Sequence, residues 1–326
     1  MIGSTQDWRP SASLERLRQR AVMLAEVRAF FAERGVLEVD TAQLVNFAVT
    51  DLNLRSAAVS WPSGDERPRY LHTSPEYAMK RLLAAGSGDI YQMCQVFRGE
   101  EQGALHNSEF MIVEWYRRGC AFVALMAEVD ALLRRLLGAA AGAPTLFLSY
   151  EQAFIDALGC NPLSDTDRAL ADCARTAGFE DAIVRRCQRD ELLDLLMGAY
   201  IGPKLARHGP AFVHRYPASQ AALARLDPLD ARVALRFELY LHGVELANGF
   251  EELADADEQR QRFAADQRAR AARNLTVPAM DEFLLAALAA GLPACAGVAL
   301  GFDRLLMIAC GAQRIGEVLA FTSDRA

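Results

Sequence analysis

Ile90–Arg98 and Glu109–Arg118 are two extended runs rich in β-branched and aromatic residues, joined by the polar stretch Gly99–Ser108. Such composition favours strands, and the short connection makes the pair a long hairpin. Further strands are expected at 211–216, 232–240 and 243–250, while the closing unit Gly297–Arg304 runs from a glycine-bearing strand into a helix from about Asp303. Leu14, Leu17, Ala21, Leu24, Val27 and Phe31 recur at helical spacing up to Gly35, and Val36–Val39 reads as a short strand. Ser74 is placed to cap a helix that has Pro75 at its first position and runs to Gly86. Residues 121–138, 151–201, 257–273 and 281–290 supply the remaining helices. With no repeat, low-complexity tract or linker-like stretch, the chain reads as one α+β domain over 11–326 behind a tail of residues 1–10. An antiparallel sheet flanked by helices is its expected core.

The 326 residues carry 35 Lys+Arg against 42 Asp+Glu, a net charge of −7. That balance, with no basic block, disfavours a dedicated nucleic-acid or membrane-surface binder. Of the 35 basic residues only Lys80 and Lys204 are lysine, and neither follows a glycine. The G-x-x-x-x-G-K-[ST] phosphate loop is therefore absent, and any ATP is held without it. H-E-x-x-H, G-x-S-x-G and G-x-G-x-x-G are absent too, which removes the usual support for zinc proteases, hydrolase triads and Rossmann cofactors. Seven scattered cysteines without C-x-x-C read as reduced thiols of a cytoplasmic protein. The first ten residues lack an apolar signal region, and Gly291, Pro293 and Gly297 break the most apolar stretch, so neither secretion nor a membrane span is expected.

Three constellations carry chemistry. Arg98 ends the first strand, Glu100, Glu101, His106 and Asn107 crowd the loop, and Phe110 and Glu114 lie on the returning strand. A guanidinium there can grip a phosphate through parallel hydrogen bonds and an aromatic face can carry a purine; a solvated loop with Phe110 in the core is the competing reading. Arg236–Glu252 forms a second hairpin. With its turn centred on Leu241-His242, Glu238 stands opposite Glu245, and two such carboxylates repel unless a proton or cation lies between them. Magnesium bridging to ATP oxygens resolves the conflict; a different register, sending one glutamate to solvent, resolves it as well. In Gly297–Arg304, small residues at alternate positions leave one strand face bare for a flat ring or polyphosphate, and Arg304 joins the start of a helix in facing an anion. Close packing against another backbone would also use those glycines.

Taken in order, these segments resemble the catalytic core of class II aminoacyl-tRNA synthetases. Phe97-Arg98-Gly99-Glu100, His106-Asn107-Ser108-Glu109-Phe110 and Glu114-Trp115-Tyr116 match motif 2 of that class, and Gly301-Phe302-Asp303-Arg304 matches motif 3. Thr73-Ser74-Pro75-Glu76-Tyr77, Arg236-Phe237-Glu238 and Glu245-Leu246-Ala247-Asn248-Gly249-Phe250 look like signatures of the lysyl subgroup. Lysyl enzymes carry an anticodon-binding domain ahead of the first catalytic helix, and none is expected in the few residues here. Together with Pro217-Ala218-Ser219-Gln220-Ala221 and the ending Phe321–Ala326, this makes the chain similar to truncated lysyl-tRNA synthetase paralogues. Those enzymes activate (R)-β-lysine with ATP and attach it to a lysine side chain of elongation factor P.

The resemblance implies a class II synthetase fold, ATP and Mg2+ as cofactors, a protein acceptor instead of tRNA, and a homodimer. It implies that Arg98 and Arg304 form the catalytic phosphate clamp and that Phe110 stacks on adenine. Glu100, Asn107, Glu245, Leu246 and Gly301 would contact the nucleotide, with His106 near the polyphosphate. Glu238 and Glu245 would hold magnesium, and Ser74, Pro75, Glu76, Tyr116, Asn248 and Glu252 would bind β-lysine. Gly99, Ser108 and Ala42 depart from the family's asparagine, motif 2 proline and motif 1 proline. Ala299 replaces a glycine of the lysyl enzymes' motif 3, a change that favours β-lysine over α-lysine. Two alternatives stay open at this level: an enzyme activating α-lysine or another amino acid, and a regulatory paralogue without catalysis.

Overall fold

The computed structural model describes residues 8–60, 68–99 and 102–326. Among them a nine-stranded sheet runs in the order Leu37–Glu38, Ile90–Phe97, Glu109–Arg118, Cys295–Gly301, Val244–Glu251, Asp230–Leu241, Ala211–Pro217 and Leu146–Ser149, with Leu226–Asp227 pairing off Asp230–Leu241. Every neighbouring pair from Ile90–Phe97 to Ala211–Pro217 is antiparallel, as expected. Both edges depart from that pattern. Leu37–Glu38 lies parallel to Ile90–Tyr91, and Leu146–Ser149, a strand the sequence reading does not anticipate, lies parallel to Ala211–His214.

Alternation along the strands separates two faces. Val113, Trp115, Phe237, Leu239, Val298 and Leu300 point into one buried cluster with Phe30 and Phe31 of the helix Leu14–Ala32 and Leu125, Val129 and Leu132 of the helix Phe122–Leu137. Each such side chain contributes about 1.5–3 kcal/mol by leaving water. Ser13 starts the first of these helices by accepting from the Arg16 amide. At the far edge, Tyr150, Phe154, Leu192, Leu193 and Leu196 pack with Val213 and Tyr216 in a second cluster. Glu114, Tyr116, Asn248 and Phe250 face the other way, into an open cavity.

Two local expectations are corrected. The second hairpin turns at His242-Gly243, one residue later than expected, because Leu241 pairs with Val244. Both turn residues are left-handed, at φ 51° and 79°, the conformation a two-residue turn needs between twisted strands and one that Gly243 adopts without strain. The register then slips by one residue: Tyr240 pairs with Glu245 but Leu239 with Ala247, leaving Leu246 as the extra residue. Glu238 consequently faces Asn248, not Glu245. The second correction is at Pro75, which precedes the helix Glu76–Ala84 and does not open it, while Ser74 Oγ accepts from the Glu76 amide at 3.0 Å.

Candidate active site

Directly paired residues on antiparallel strands project to the same face, so the register lays the site out in rows. One row crosses the strands as Gln92, Glu114, Ala299, Asn248 and Glu238. Its neighbour reads Tyr116, Gly297, Phe250 and Arg236. Over this floor lies a cavity of about 1000 Å³ that Thr73, Ser74, Pro75 and Glu76 also line. A smaller chamber of about 100 Å³ is lined by Arg98, His106, Asn107, Phe110, Glu245, Leu246, Gly301 and Arg304. Arg98, Asn248 and Ala299 line both, so they stand where the two limbs meet. Gly297 is required by space, since a methyl there would collide with the Tyr116 ring and with Glu252 Oε1. Gly301 is not: a Cβ would find only ordinary contacts, 3.7 Å from Arg304 Cδ and from the Leu246 carbonyl.

The large limb is acidic, and several of its charged side chains are buried. Glu114 accepts from Ser74 Oγ and from the Tyr116 hydroxyl, each at 2.7 Å. Glu76 and Lys80 lie one helical turn apart, and Lys80 Nζ sits 2.7 Å from Glu76 Oε1 and 2.6 Å from Glu252 Oε2. The Lys80 and Glu252 side chains are each 1 % exposed, and Glu252 Oε1 has no partner among the described residues. Desolvation, with the charge of Glu76 added, pushes Glu114 up to about 7. Desolvation likewise pushes Glu252 up to about 8, against the pull of Lys80 and with Glu76 and Glu114 reinforcing it. Burial alone would discharge Lys80, but Glu252 and Glu76 outweigh it and hold the ammonium charged.

The small limb is cationic and partly open. Arg304 donates from Nη1 to the Glu245 carbonyl at 2.9 Å and meets His106 Nε2 through Nη2 at 2.6 Å. Its helix, Phe302–Ala309, is anchored by buried Asp303, which pairs with Arg20 and accepts from the Met111 amide at 2.7 Å. The Arg98 guanidinium lies 5.1 Å from the Phe110 ring centroid. Asn107 is buried, donating to the Glu109 carbonyl at 2.7 Å and accepting from the Ser323 amide at 3.2 Å, which ties the loop to the chain's last turn. Glu238 is a hub: Oε2 accepts from Tyr216 and Tyr240, at 2.5 and 2.6 Å, and Oε1 from Arg236 at 2.6 Å. Glu245, 41 % exposed in its side chain, has its carboxylate 3.9 Å from Arg304 Nη1.

A model of class II tRNA synthetases of the D, K and N kinds matches residues 4–325. The chain belongs to this family. It is 48 % identical over 328 residues to a protein of Pectobacterium carotovorum subsp. carotovorum named elongation factor P–(R)-β-lysine ligase, covering 100 % of both chains. Proteins of the same name from Erwinia tasmaniensis and Salmonella typhi are 49 % and 48 % identical, each covered over its full length by 99 % and 100 % of this chain.

Within this synthetase fold, Ser74, Pro75, Glu76, Tyr116, Asn248 and Glu252 all line the large limb. His106, Asn107, Phe110, Glu245, Leu246, Gly301 and Arg304 line the small one, and Arg98 lines both. Glu238 lies at the end of the first row, and Glu100 falls outside the described residues. Sequence reasoning gave no role to Lys80, Glu114 or Arg236, all of which bear on the site. The signals were present: Glu76 and Lys80 at helical spacing, and Glu114 two residues before Tyr116 on one strand. Arg236 stands in the segment Arg236-Phe237-Glu238, but its link to Glu238 depends on the strand's alternation.

Proposed function

We propose that the chain is an ATP-dependent ligase that activates (R)-β-lysine as an acyl-adenylate and transfers it to a lysine side chain of elongation factor P. The observation that carries the reading is the unpartnered Glu252 Oε1, buried beside Glu76 and Glu114 in a cavity that meets an arginine-lined chamber. Buried acceptors without donors call for a ligand that brings them, and here the fitting donor is an ammonium group. A diamino acid satisfies the acidic limb and can direct its carboxylate towards Arg98, Asn248 and the nucleotide. That carboxylate then attacks the α-phosphorus of ATP, and pyrophosphate leaves. The deprotonated acceptor amine attacks the acyl carbon, AMP leaves, and the amide nitrogen loses a proton.

No protein nucleophile is needed, so the chain's share is positioning and charge neutralisation. Arg98 and Arg304 hold the phosphates, Phe110 stacks on adenine, and Asn107 contacts the nucleotide while fixing its loop. The donor set suits magnesium, which needs only one or two carboxylates besides phosphate oxygens. Glu245 would offer its exposed carboxylate, while Glu238, whose oxygens already accept three donors, would join once one of them turns away. When bound, the metal neutralises the polyphosphate and eases departure of pyrophosphate. In this reading the acceptor is a protein and not tRNA, and the enzyme is a cytoplasmic homodimer. Among the described residues no helix is long and apolar enough to cross a membrane.

ATP–pyrophosphate exchange measured in parallel with (R)-β-lysine, (S)-β-lysine and L-lysine tests the proposal, followed by mass spectrometry of elongation factor P incubated with ATP and the best substrate. The expected result is fastest exchange with (R)-β-lysine and a single added β-lysyl mass on the acceptor. Equal or faster exchange with L-lysine would sink the β-lysine assignment, and no exchange at all would make the chain a regulatory paralogue.

A further inference from the structure

Lys80 is one of only two lysines in a chain whose other basic residues are arginine, and its ammonium is buried beside two carboxylates that line the acidic limb. It touches two carboxylates from different elements: Glu76 on its own helix and Glu252 just beyond the strand Val244–Glu251. It pairs with Glu252 Oε2, while Oε1, equally buried, has no partner among the described residues. Glu114 is already satisfied by Ser74 and Tyr116. Three carboxyl groups, Glu76, Glu114 and Glu252, thus gather around one resident ammonium. Lysine suits this niche as a compact point charge with three donors, where a planar guanidinium would need a wider fork of acceptors.

Resting on the ligase reading above, we infer that Lys80 is a positioning and specificity residue, a built-in counter-cation that aims Glu252 at the substrate and trims the acidic limb to the charge of a diammonium amino acid. Lys80 does not touch the reacting atoms; it acts through Glu76 and Glu252. Without it, two dry carboxylates lie close together with no cation. They then hold protons more firmly than in the unaltered chain, and a dicationic substrate binds only by expelling them. The titratable groups facing this pair from the surrounding elements are Glu114 and Tyr116 on Glu109–Arg118 and Cys295 on the closing strand. Desolvation and the carboxylates favour the neutral form of all three, and as acids without a cationic form none can replace the ammonium.

The test is exchange kinetics of Lys80→Met and of Lys80→Met/Glu76→Gln beside the unaltered chain, at pH 6.5, 7.5 and 8.5, with KM resolved separately for (R)-β-lysine and ATP. In Lys80→Met the KM for (R)-β-lysine is expected to rise about tenfold or more at the lowest pH and to fall towards the parent value as pH rises, by up to about tenfold per pH unit per proton expelled. KM for ATP should stay within about twofold, since ATP uses the other limb. The double variant removes one charge of each sign and should recover most of the loss. If both KM values and kcat worsen together at every pH, and the double variant recovers nothing, Lys80 is only structural and the inference is overturned. An unchanged KM and pH profile in Lys80→Met overturns it as well. Absence of exchange with any diamino acid in the unaltered chain would instead bring down the ligase reading, and the role of Lys80 with it.

Discussion

The two limbs of the site solve opposite electrostatic problems by opposite means. The acidic limb is built on paired strands and one helix, Lys80, Glu114 and Glu252 are almost fully buried, and its hydroxyls and ammonium are already in place. The cationic limb depends on a loop and a helix start, and its arginine is held by backbone carbonyls and a histidine. The difference follows from the ligands each is suited to. A small diammonium compound gains selectivity from fixed, dry acceptors, because unpaired buried charges are severely penalised. A polyphosphate is large, highly charged and leaves in pieces, so partly hydrated donors that can follow it serve better.

That contrast can be broken from either side. The largest effect is expected for Arg304→Ala: exchange should fall by about 10²–10³-fold or more, the loss typical of removing one donor to developing charge. The fold should persist, because Asp303, Arg20 and Phe302 anchor the helix independently. Full turnover in a well-folded variant, checked by circular dichroism, would remove Arg304 from the clamp. Next in size is Glu252→Gln. Neutralising one partner of a buried charge pair costs about 2–5 kcal/mol, which predicts a higher KM for (R)-β-lysine with that for ATP nearly unchanged. A parallel rise in both would mean that the limbs are not separate. The smallest effect is the pH dependence of the unaltered enzyme. Because Glu114 and Glu252 are raised to about 7 and 8, protons compete with the substrate's ammonium groups at low pH. KM for (R)-β-lysine should therefore fall as pH rises from 6 to 8, whereas KM for ATP should move less. A flat profile would argue that the carboxylates stay ionised throughout.

How far the sequence could be read differs between the same two regions. The hairpins were legible because alternation and β-branched content are local properties, and the motifs fell at the strand ends where Arg98 and Arg304 stand. Glu238 and Glu245 were assigned to one another by a symmetric turn, and that failed because one extra residue, Leu246, shifts the pairing. Nothing local announces such a slip; it depends on which turn best fits the strand twist. The tyrosines that occupy Glu238 come from residue 216 on a neighbouring strand and residue 240 on its own, so only the assembled sheet reveals that its oxygens are taken. The strand Leu146–Ser149 escaped for a related reason: it is short, flanked by glycine, alanine and proline, and gains its partner from a segment some sixty residues away. Lys80 was visible as a rarity of composition, but its burial between two carboxylates was not.

The burial of Lys80 also affects how the chemistry can be followed. Activated acyl groups acylate any accessible amine, and an enzyme that makes them is ordinarily studded with such targets. Here one lysine is sealed inside the protein and the other, Lys204, stands exposed beside the Tyr200 ring. Apart from the amino terminus, the catalyst therefore offers a single side chain to stray acylation. In a mixed incubation, mass gained on lysine elsewhere reports the acceptor protein almost without background. The same scarcity makes Lys204 a ready point for attaching one amine-reactive dye.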